Sequence, residues 1–252
     1  MFKSMHNMEN PLVICNVWDA ASAVIAQNNG FSAIGTSSAA IAKNLGKEDG
    51  ENISFENLLS IVEIIGKSTT LPLTVDIESG YAHTPEAIAG NIIKLAELGV
   101  VGINIEDSIV VKGERQLCDQ VVFANRLEEI RKQLRDANIE VFINVRSDAY
   151  LLNVTHPLKE SINRISKYQQ SGADGIFLPC IEASSDIQSV VASTSLPINV
   201  MCVPNLPTFS ELKNLGVKRI SMGNFVHEAM LASLSSKFSA IQKDQCFNSL
   251  FS

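Results

Sequence analysis

The chain has 252 residues, 46% hydrophobic and 19% charged, with a formal net charge of -7. This excludes a disordered or low-complexity protein and supplies a sizeable core. An acidic chain with no basic block is a poor partner for nucleic acid or an anionic membrane surface. The five cysteines are scattered, which argues against a disulfide framework or a zinc site and for a reducing compartment. The first ten residues are polar, with no apolar signal region, and apolar runs stay far below the ~18 residues of a membrane span. The expectation is a soluble cytoplasmic protein.

Short β-branched runs alternate with helical stretches along the whole chain. Leu12 to Trp18 reads as the first strand, followed by a helix from Asp19 to Asn28 that Asn29-Gly30 stops. Phe31 to Thr36 is the second strand and leads into a loop around Gly46 to Asn52. Ser54 caps the next helix, which runs to about Gly66. Leu71 to Glu78 is the third strand, and Thr84-Pro85-Glu86 opens a helix to Leu98. Gly102 to Asp107 is the fourth strand, Ser108 to Asp119 a loop of mixed charge, and Gln120 to Asn138 a helix. Glu140 to Asp148 is the fifth strand. A helix over Pro157 to Ser171, a strand over Gly175 to Cys180, a short helix over Ser184 to Ala192 and a seventh strand over Pro197 to Val203 follow. Thr208 to Leu215, Arg219 to Gly223 and Asn224 to Lys243 complete the pattern as helix, strand and helix. Eight β/α units in this length predict one closed (β/α)8 TIM-type barrel over residues 1–252, in the α/β class. A doubly wound open sheet is the alternative. No G-x-G-x-x-G follows the first strand, which removes its usual dinucleotide-binding form.

Barrel enzymes work at the carboxyl ends of their strands. These ends carry Trp18-Asp19, Thr36-Ser37-Ser38, Asp76 with Glu78, Glu106-Asp107, Arg146 with Asp148, Pro179-Cys180, Asn205 and Gly223-Asn224. Asp76 and Glu78 are separated by one residue on a strand and are expected to share a face. With Glu106 and Asp107 on the adjacent strand they form a ring of carboxylates without a histidine or cysteine partner. Hard oxygen donors suit Mg2+ or Mn2+, not zinc. The alternative is a set of acids that cap helices and salt-bridge in the barrel mouth. Arg146 can clamp a substrate carboxylate or stabilise an oxyanion, or else balance the charge of Glu106 or Asp148. Thr36, Ser37, Ser38 and Ala39 offer hydroxyls and amides to a carboxylate or phosphate. Asn205 is expected to contact substrate with them.

Several motifs in order resemble the isocitrate lyase/phosphoenolpyruvate mutase superfamily. They are Ala33-Ile34-Gly35-Thr36-Ser37-Ser38, Asp49, Asp76-Ile77-Glu78-Ser79-Gly80-Tyr81, Gly102-Ile103-Asn104-Ile105-Glu106-Asp107 and Asn144-Val145-Arg146-Ser147-Asp148. Asn16-Val17-Trp18-Asp19-Ala20-Ala21-Ser22 and the segments Gly172 to Pro179 and Leu215 to Gly223 extend the likeness over nearly the whole chain. The resemblance implies a β/α barrel whose last helix packs on or swaps with a neighbour in a homodimer or homotetramer. It implies Mg2+ and a small 2-oxo or 2-hydroxy carboxylate ligand. Asp76 resembles the direct metal ligand, and Glu78 and Glu106 the acids that hold the metal's waters. Ser37, Ser38 and Ala39 fall where the family binds the substrate carboxylate. Asp49 matches the aspartate after the second strand, and Arg146 the arginine on the substrate's oxygens. With Glu106, these two are the residues implied for catalysis.

The loop after the fourth strand departs from both specialised subgroups. Val111-Lys112-Gly113-Glu114-Arg115-Gln116-Leu117-Cys118 lacks the lyases' Cys-Gly-His. It also lacks the Thr and Asn of the phosphonate enzymes' Lys-Thr-Asn-like segment, although Lys112 remains. Pro179 stands where the mutases carry a histidine. Cys118 reads as structural, and His83 as solvated surface. Loss of CO2 needs no protein base, whereas retro-aldol cleavage needs an acid that is missing here. The expected activity is Mg-dependent C–C cleavage in a 2-oxo or 2-hydroxy carboxylate through a metal-stabilised enolate. Its concrete forms are oxaloacetate decarboxylase-like or isocitrate/methylisocitrate lyase-like. P–C bond chemistry on phosphonopyruvate or phosphoenolpyruvate is the runner-up, and a non-catalytic oxo-acid binder the third reading. The last helix, Phe225 to Ile241, is broadly apolar and suits burial against a partner chain or against its own barrel. The apolar tail from Asp244 onward suggests docking, as at an oligomer interface.

Overall fold

Several strand segments alternate branched apolar residues with polar ones, as in Gly-Ile-Asn-Ile-Glu at 102–106 and Phe-Ile-Asn-Val-Arg at 142–146. Successive side chains on a strand point to opposite faces. One face therefore needs an apolar partner layer and the other a polar interior. The computed structural model, which describes residues 2–251, meets both needs by closing a barrel. Its strands are β1 (Leu12–Val17), β2 (Ile34–Thr36), β3 (Leu73–Asp76), β4 (Gly102–Glu106), β7 (Phe142–Arg146), β8 (Gly175–Leu178), β9 (Ile198–Met201) and β10 (Arg219–Ser221), all parallel and hydrogen-bonded in that order, with β10 returning to β1. The remaining two strands, β5 (Ser108–Val111) and β6 (Glu114–Leu117), form an antiparallel hairpin after β4. Helices α2 (Ala20–Asn28), α4 (Phe55–Ser68), α5 (Pro85–Glu97), α6 (Gln120–Asp136), α7 (Pro157–Gln170), α8 (Ser184–Ala192) and α9 (Phe209–Asn214) connect the strands.

The helix starts follow their caps. Ser54 Oγ accepts from Asn57 N at 3.2 Å, and Thr84 Oγ1 from Ala87 N at 3.3 Å with Pro85 in the first turn. The main apolar core is a ring between strands and helices that includes Ile103, Ile105, Val145, Leu58, Ile88 and Phe123. Each such buried side chain contributes about 1.5–3 kcal/mol. A smaller cluster of Phe2, Leu12, Ile14, Ala33 and Phe142 closes the amino-terminal pole. His6 stacks flat on Phe142 there, with ring centroids 4.2 Å apart. Inside the barrel, Gly35 is required by crowding: a Cβ would lie 2.9 Å from both Ile14 Cγ2 and Thr74 Oγ1.

The expected eight-strand barrel is present, and the differences are local. A short helix, α1 (Phe2–Met5), occupies the polar start, because Phe2 reaches the pole cluster. The second strand does not run straight into a loop: Ser37 caps α3 (Ser38–Asn44), accepting from Ala40 N at 3.3 Å. The expected loop at 108–119 is largely the β5–β6 hairpin. Its two-residue turn is Lys112-Gly113, with φ of 53° and 83°, the left-handed pair that matches strand twist. β3 ends at Asp76, so Ile77 to Tyr81 forms a turn rather than strand.

The last helix, α10 (Phe225–Asp244), does not pack along its own barrel. Its sole buried residue is His227, whose Nε2 lies 2.9 Å from Asn44 Oδ1 and whose ring meets Trp18 edge-on at 4.7 Å. Val226, Met230, Leu234 and Phe238 remain exposed. Among the described residues, no helix is long and apolar enough to cross a membrane.

Candidate active site

The carboxyl ends of the strands open onto a cavity of about 350 Å3. Its floor is the polar lumen. Asn16 donates from Nδ2 to Thr36 O at 3.2 Å and accepts from Met222 N and Gly223 N at 2.7 and 3.1 Å. One side chain thus ties β1 to β2 and to the end of β10. Asp49, Asp76, Arg115, Arg146 and the Thr36–Ser37–Ser38–Ala39 segment line the walls.

Asp76 ends β3 and is held from three sides. Its own N–H donates to Thr36 Oγ1 at 2.9 Å, Ser38 Oγ donates to its Oδ2 at 3.0 Å, and Glu78 N donates to its Oδ1 at 3.3 Å. Arg146 ends β7, in register with Glu106 on β4. Its Nε and Nη2 engage Asp148 at 2.6 and 3.2 Å, and its Nη1 lies 3.0 Å from Glu106 Oε2. Two carboxylates therefore fix the guanidinium plane against the cavity. Arg115, delivered by β6, contacts Glu106, Ser108 Oγ at 3.0 Å and Asp148 Oδ2 at 3.4 Å, and reaches Asp49 Oδ2 at 3.4 Å.

Glu78 takes a different position from the one strand alternation predicts. It lies beyond the end of β3 with φ of 49°, a left-handed conformation. Its carboxylate accepts from Glu51 N at 2.7 Å and Tyr81 Oη at 2.8 Å, behind the cavity wall. Glu51 answers by accepting from Ser79 N, Ser79 Oγ and Tyr81 N at 3.1, 2.7 and 2.8 Å. The loop bearing Asp49 and the turn after β3 are thus bonded reciprocally. Gly80 permits that turn: its φ is +119°, and a Cβ would fall 2.7 Å from Ile88 Cγ1. Asp107 faces outward, away from the ring of acids expected of it. It accepts from Ser147 Oγ, Arg164 Nη1 and Tyr168 Oη at 2.9, 3.0 and 2.8 Å, anchoring α7.

Electrostatics set the character of the mouth. Asp49, Glu106 and Asp148 pair with the Arg115 and Arg146 guanidiniums, and Asp76 and Glu78 lie close to them. Burial raises the Asp76 carboxyl, against Arg146 and with Asp49. Burial, then Asp49 and Asp76, push Glu78 up to about 8. Burial pushes Glu106 up to about 7 although Arg146 opposes it. Such an excess of buried carboxyl groups, held back from ionising by burial and by one another, fits a divalent cation that would favour their ionised form. Among the described residues, however, no three His, Cys, Asp or Glu side chains stand together as one ligand set. Of the three expected metal acids, Asp76 alone lines the cavity.

A stability prediction follows from the two raised acids. Each binds its proton more tightly folded than unfolded. Its stabilising contribution is full below the ordinary value of 4.5 and is lost as pH rises through about 7 for Glu106 and about 8 for Glu78. His6, lowered from 6.5 to about 4 by burial, stays neutral across the upper part of that range and adds nothing to the slope there. Metal-free protein is therefore expected to melt at a lower temperature at about pH 8.5 than at about pH 6.5. Excess Mg2+, which favours the ionised acids, should shrink or reverse that slope. Thermal melts in chelator and in Mg2+ check this, and curves that ignore both pH and metal would contradict it.

The structure thus brings Thr36, Ser37, Ser38, Ala39, Asp49, Asp76 and Arg146 to one cavity, with Glu106 directly behind both guanidiniums. Asn205 is not brought there: β9 stops at Met201, and Asn205 is exposed on the following loop. Arg115 and Asn16 line the cavity and were not among the residues expected from sequence. The Lys112-Gly113 turn was the available signal for Arg115, since a hairpin folds the arginine back over β4.

A family model for phosphoenolpyruvate phosphomutase matches residues 2–242. An uncharacterized Mycobacterium tuberculosis protein is 33% identical over 230 residues, spanning 91% of this chain and 84% of that one. Oxaloacetate decarboxylase 1 of Pseudomonas fluorescens is 27% identical over 235 residues, or 91% of this chain and 78% of the enzyme. Among solved structures, a conjectured phosphonomutase from Burkholderia cenocepacia superposes with a TM-score of 0.87 at 36% identity, covering 93% of this chain and 96% of that one.

Proposed function

Because the chain belongs to the phosphoenolpyruvate phosphomutase family, within the isocitrate lyase/PEP mutase superfamily of enzymes, we propose that it cleaves a C–C bond in a small 2-oxo dicarboxylate, in the manner of an oxaloacetate decarboxylase. The observation that carries this reading is the placement of Asp76, Arg146 and the start of α3 around one cavity that no histidine or cysteine lines among the described residues. The likeness to a Pseudomonas oxaloacetate decarboxylase supports it.

Asp76 would hold Mg2+ or Mn2+ directly, with Glu106 acting on its waters and Glu78, held by Glu51 N and Tyr81 Oη, steadying the Asp76 carboxylate through its own N–H. The bound ion would supply Lewis acidity toward the substrate's oxygens. The Ser37 hydroxyl and the Ser38 and Ala39 amides at the start of α3, which have no intrahelical acceptor, receive the carboxylate next to the oxo group, while the Ser38 hydroxyl stays on Asp76. Arg146 faces the oxo oxygen. When the distal carboxylate leaves as CO2, its bonding pair passes through C3 to that oxygen, and the Arg146 guanidinium meets the new negative charge. Glu106 and Asp148 keep that guanidinium from rotating, and Asp49 positions Arg115 at the rim. C3 then takes its proton from water.

P–C chemistry is the second reading, favoured by the family model and by the Burkholderia structure. A pyruvate-release assay with Mg2+ against oxaloacetate, methylisocitrate-type acids and phosphonopyruvate, run beside phosphorus NMR to detect isomerisation of phosphonopyruvate to phosphoenolpyruvate, separates them. Turnover of phosphonopyruvate alone would replace the first reading with the second. No turnover, with ligands still raising the melting temperature, would favour an oxo-acid binder.

The uncovered stripe on α10 repeats every four residues through Val226, Met230, Leu234 and Phe238, the last 59% exposed. A second copy of the chain covers it, giving a homodimer or homotetramer. Leu234→Glu with Phe238→Glu is expected to yield monomers in sedimentation velocity. A monomeric wild type at micromolar concentration would refute this. All five cysteines are free, in keeping with a reducing, cytoplasmic setting.

A further inference from the structure

The barrel lumen holds a positive charge that the chemistry above does not use. Arg219 opens β10 and is only 1% exposed. Its Nη2 donates to Thr74 Oγ1 and Asn104 Oδ1, both at a long 3.4 Å. Both acceptors are neutral. Its Nε and Nη1 have no hydrogen-bond partner among the described residues. His6 on the pole side brings no counter-charge, being neutral at pH 7. Burial lowers the guanidinium only to about 9, so it remains charged. An unpaired buried cation is among the least favourable things a core can contain, so its position calls for a reason.

That position is informative. Thr74 precedes Asp76 by two residues on β3, and Asn104 precedes Glu106 by two on β4. Two residues on a strand return to the same face, so the charge lies in the lumen at the level of Thr74 and Asn104, roughly 7 Å beneath the acids of the mouth. An acid-rich mouth repels an anionic substrate. A guanidinium placed below it offsets that repulsion without occupying the cavity. The buried lumen leaves little solvent to screen it.

We propose that Arg219 is a specificity-determining residue, a fixed charge beneath the site that strengthens its hold on a carboxylate ligand and loosens its hold on the divalent cation. This rests on the cation and carboxylate reading of the mouth given above. Its signature is two shifts of opposite sign. In Arg219→Met, Mg2+ alone should bind about five- to thirty-fold more tightly, and oxalate at saturating Mg2+ about five- to thirty-fold more weakly, in calorimetric titrations. Arg219→Lys keeps the charge, so both constants should stay within about two-fold of wild type. A purely structural arginine would lose both affinities together in both variants. Shifts of the same sign, or no shift in a folded Met variant, would overturn the proposal and leave the reading of the mouth intact. If the Met variant does not fold, the Lys variant decides: a folded Lys variant that loses either affinity overturns it, and one that keeps both supports it. Wild-type protein that bound neither Mg2+ nor oxalate would overturn both readings.

Discussion

Asp76→Ala is expected to reduce metal-dependent turnover by at least about 10^3-fold, on the order of 4 kcal/mol of transition-state stabilisation. It is the one expected metal acid that lines the cavity, and Thr36, Ser38 and Glu78 all fix its orientation. The same substitution should not unfold the protein. Asp76 is desolvated and close to Asp49, so burial and like charge both raise its carboxyl. Removing it relieves that repulsion, and the melting temperature in chelator should hold or rise. Pyruvate release and a thermal melt on one preparation test both halves. Retained turnover would remove Asp76 from the mechanism. Lost turnover with a collapsed melt would leave its role structural.

Arg146→Lys is expected to lower kcat by about 10^2- to 10^3-fold with a smaller change in KM, the size seen when one preorganised oxyanion donor is lost. Lysine keeps the charge but not the fork. It cannot bond Asp148 through two nitrogens while a third pairs ionically with Glu106, as the guanidinium does. Arg146→Ala is the harsher change, because it strips Glu106 and Asp148 of a partner and should cost about 3–5 kcal/mol of stability. Steady-state kinetics beside denaturant melts separate the two effects. A Lys variant that raised KM alone would show that Arg146 binds the ground state and transition state equally.

The barrel was legible because its strands are short, β-branched and evenly spaced, and because Ser54 and Thr84 announce the helices they cap. The acids of the mouth were legible for a related reason: topology places the carboxyl end of every strand at one pole. What sequence could not supply was where each strand stops. β3 ends two residues earlier than its pattern suggests, and this sends Glu78 into the bond with Tyr81 instead of onto the cavity wall. β9 likewise ends at Met201 and leaves Asn205 outside. Arg115 escaped notice because β5 and β6 are only four residues each, too short for alternation to outweigh their mixed charge. Asp107 was misdirected by adjacency to Glu106, although neighbours on a strand must face opposite ways.

The separation between an apolar ring outside the strands and a polar lumen inside them makes two kinds of damage distinguishable. Trimming Ile103 or Ile105 removes hydrocarbon from the ring. That alters the melt and its heat-capacity increment, which tracks apolar area exposed on unfolding, while the groups at the mouth keep their partners. Changing Asn104, Asn144 or Asn199 alters a network of side-chain amides joined at 2.9 and 3.1 Å and removes almost no apolar area. A variant library of this protein should therefore scatter along two nearly independent axes, thermal resilience and ligand preference, with the inward or outward parity of each strand position deciding which axis a substitution moves.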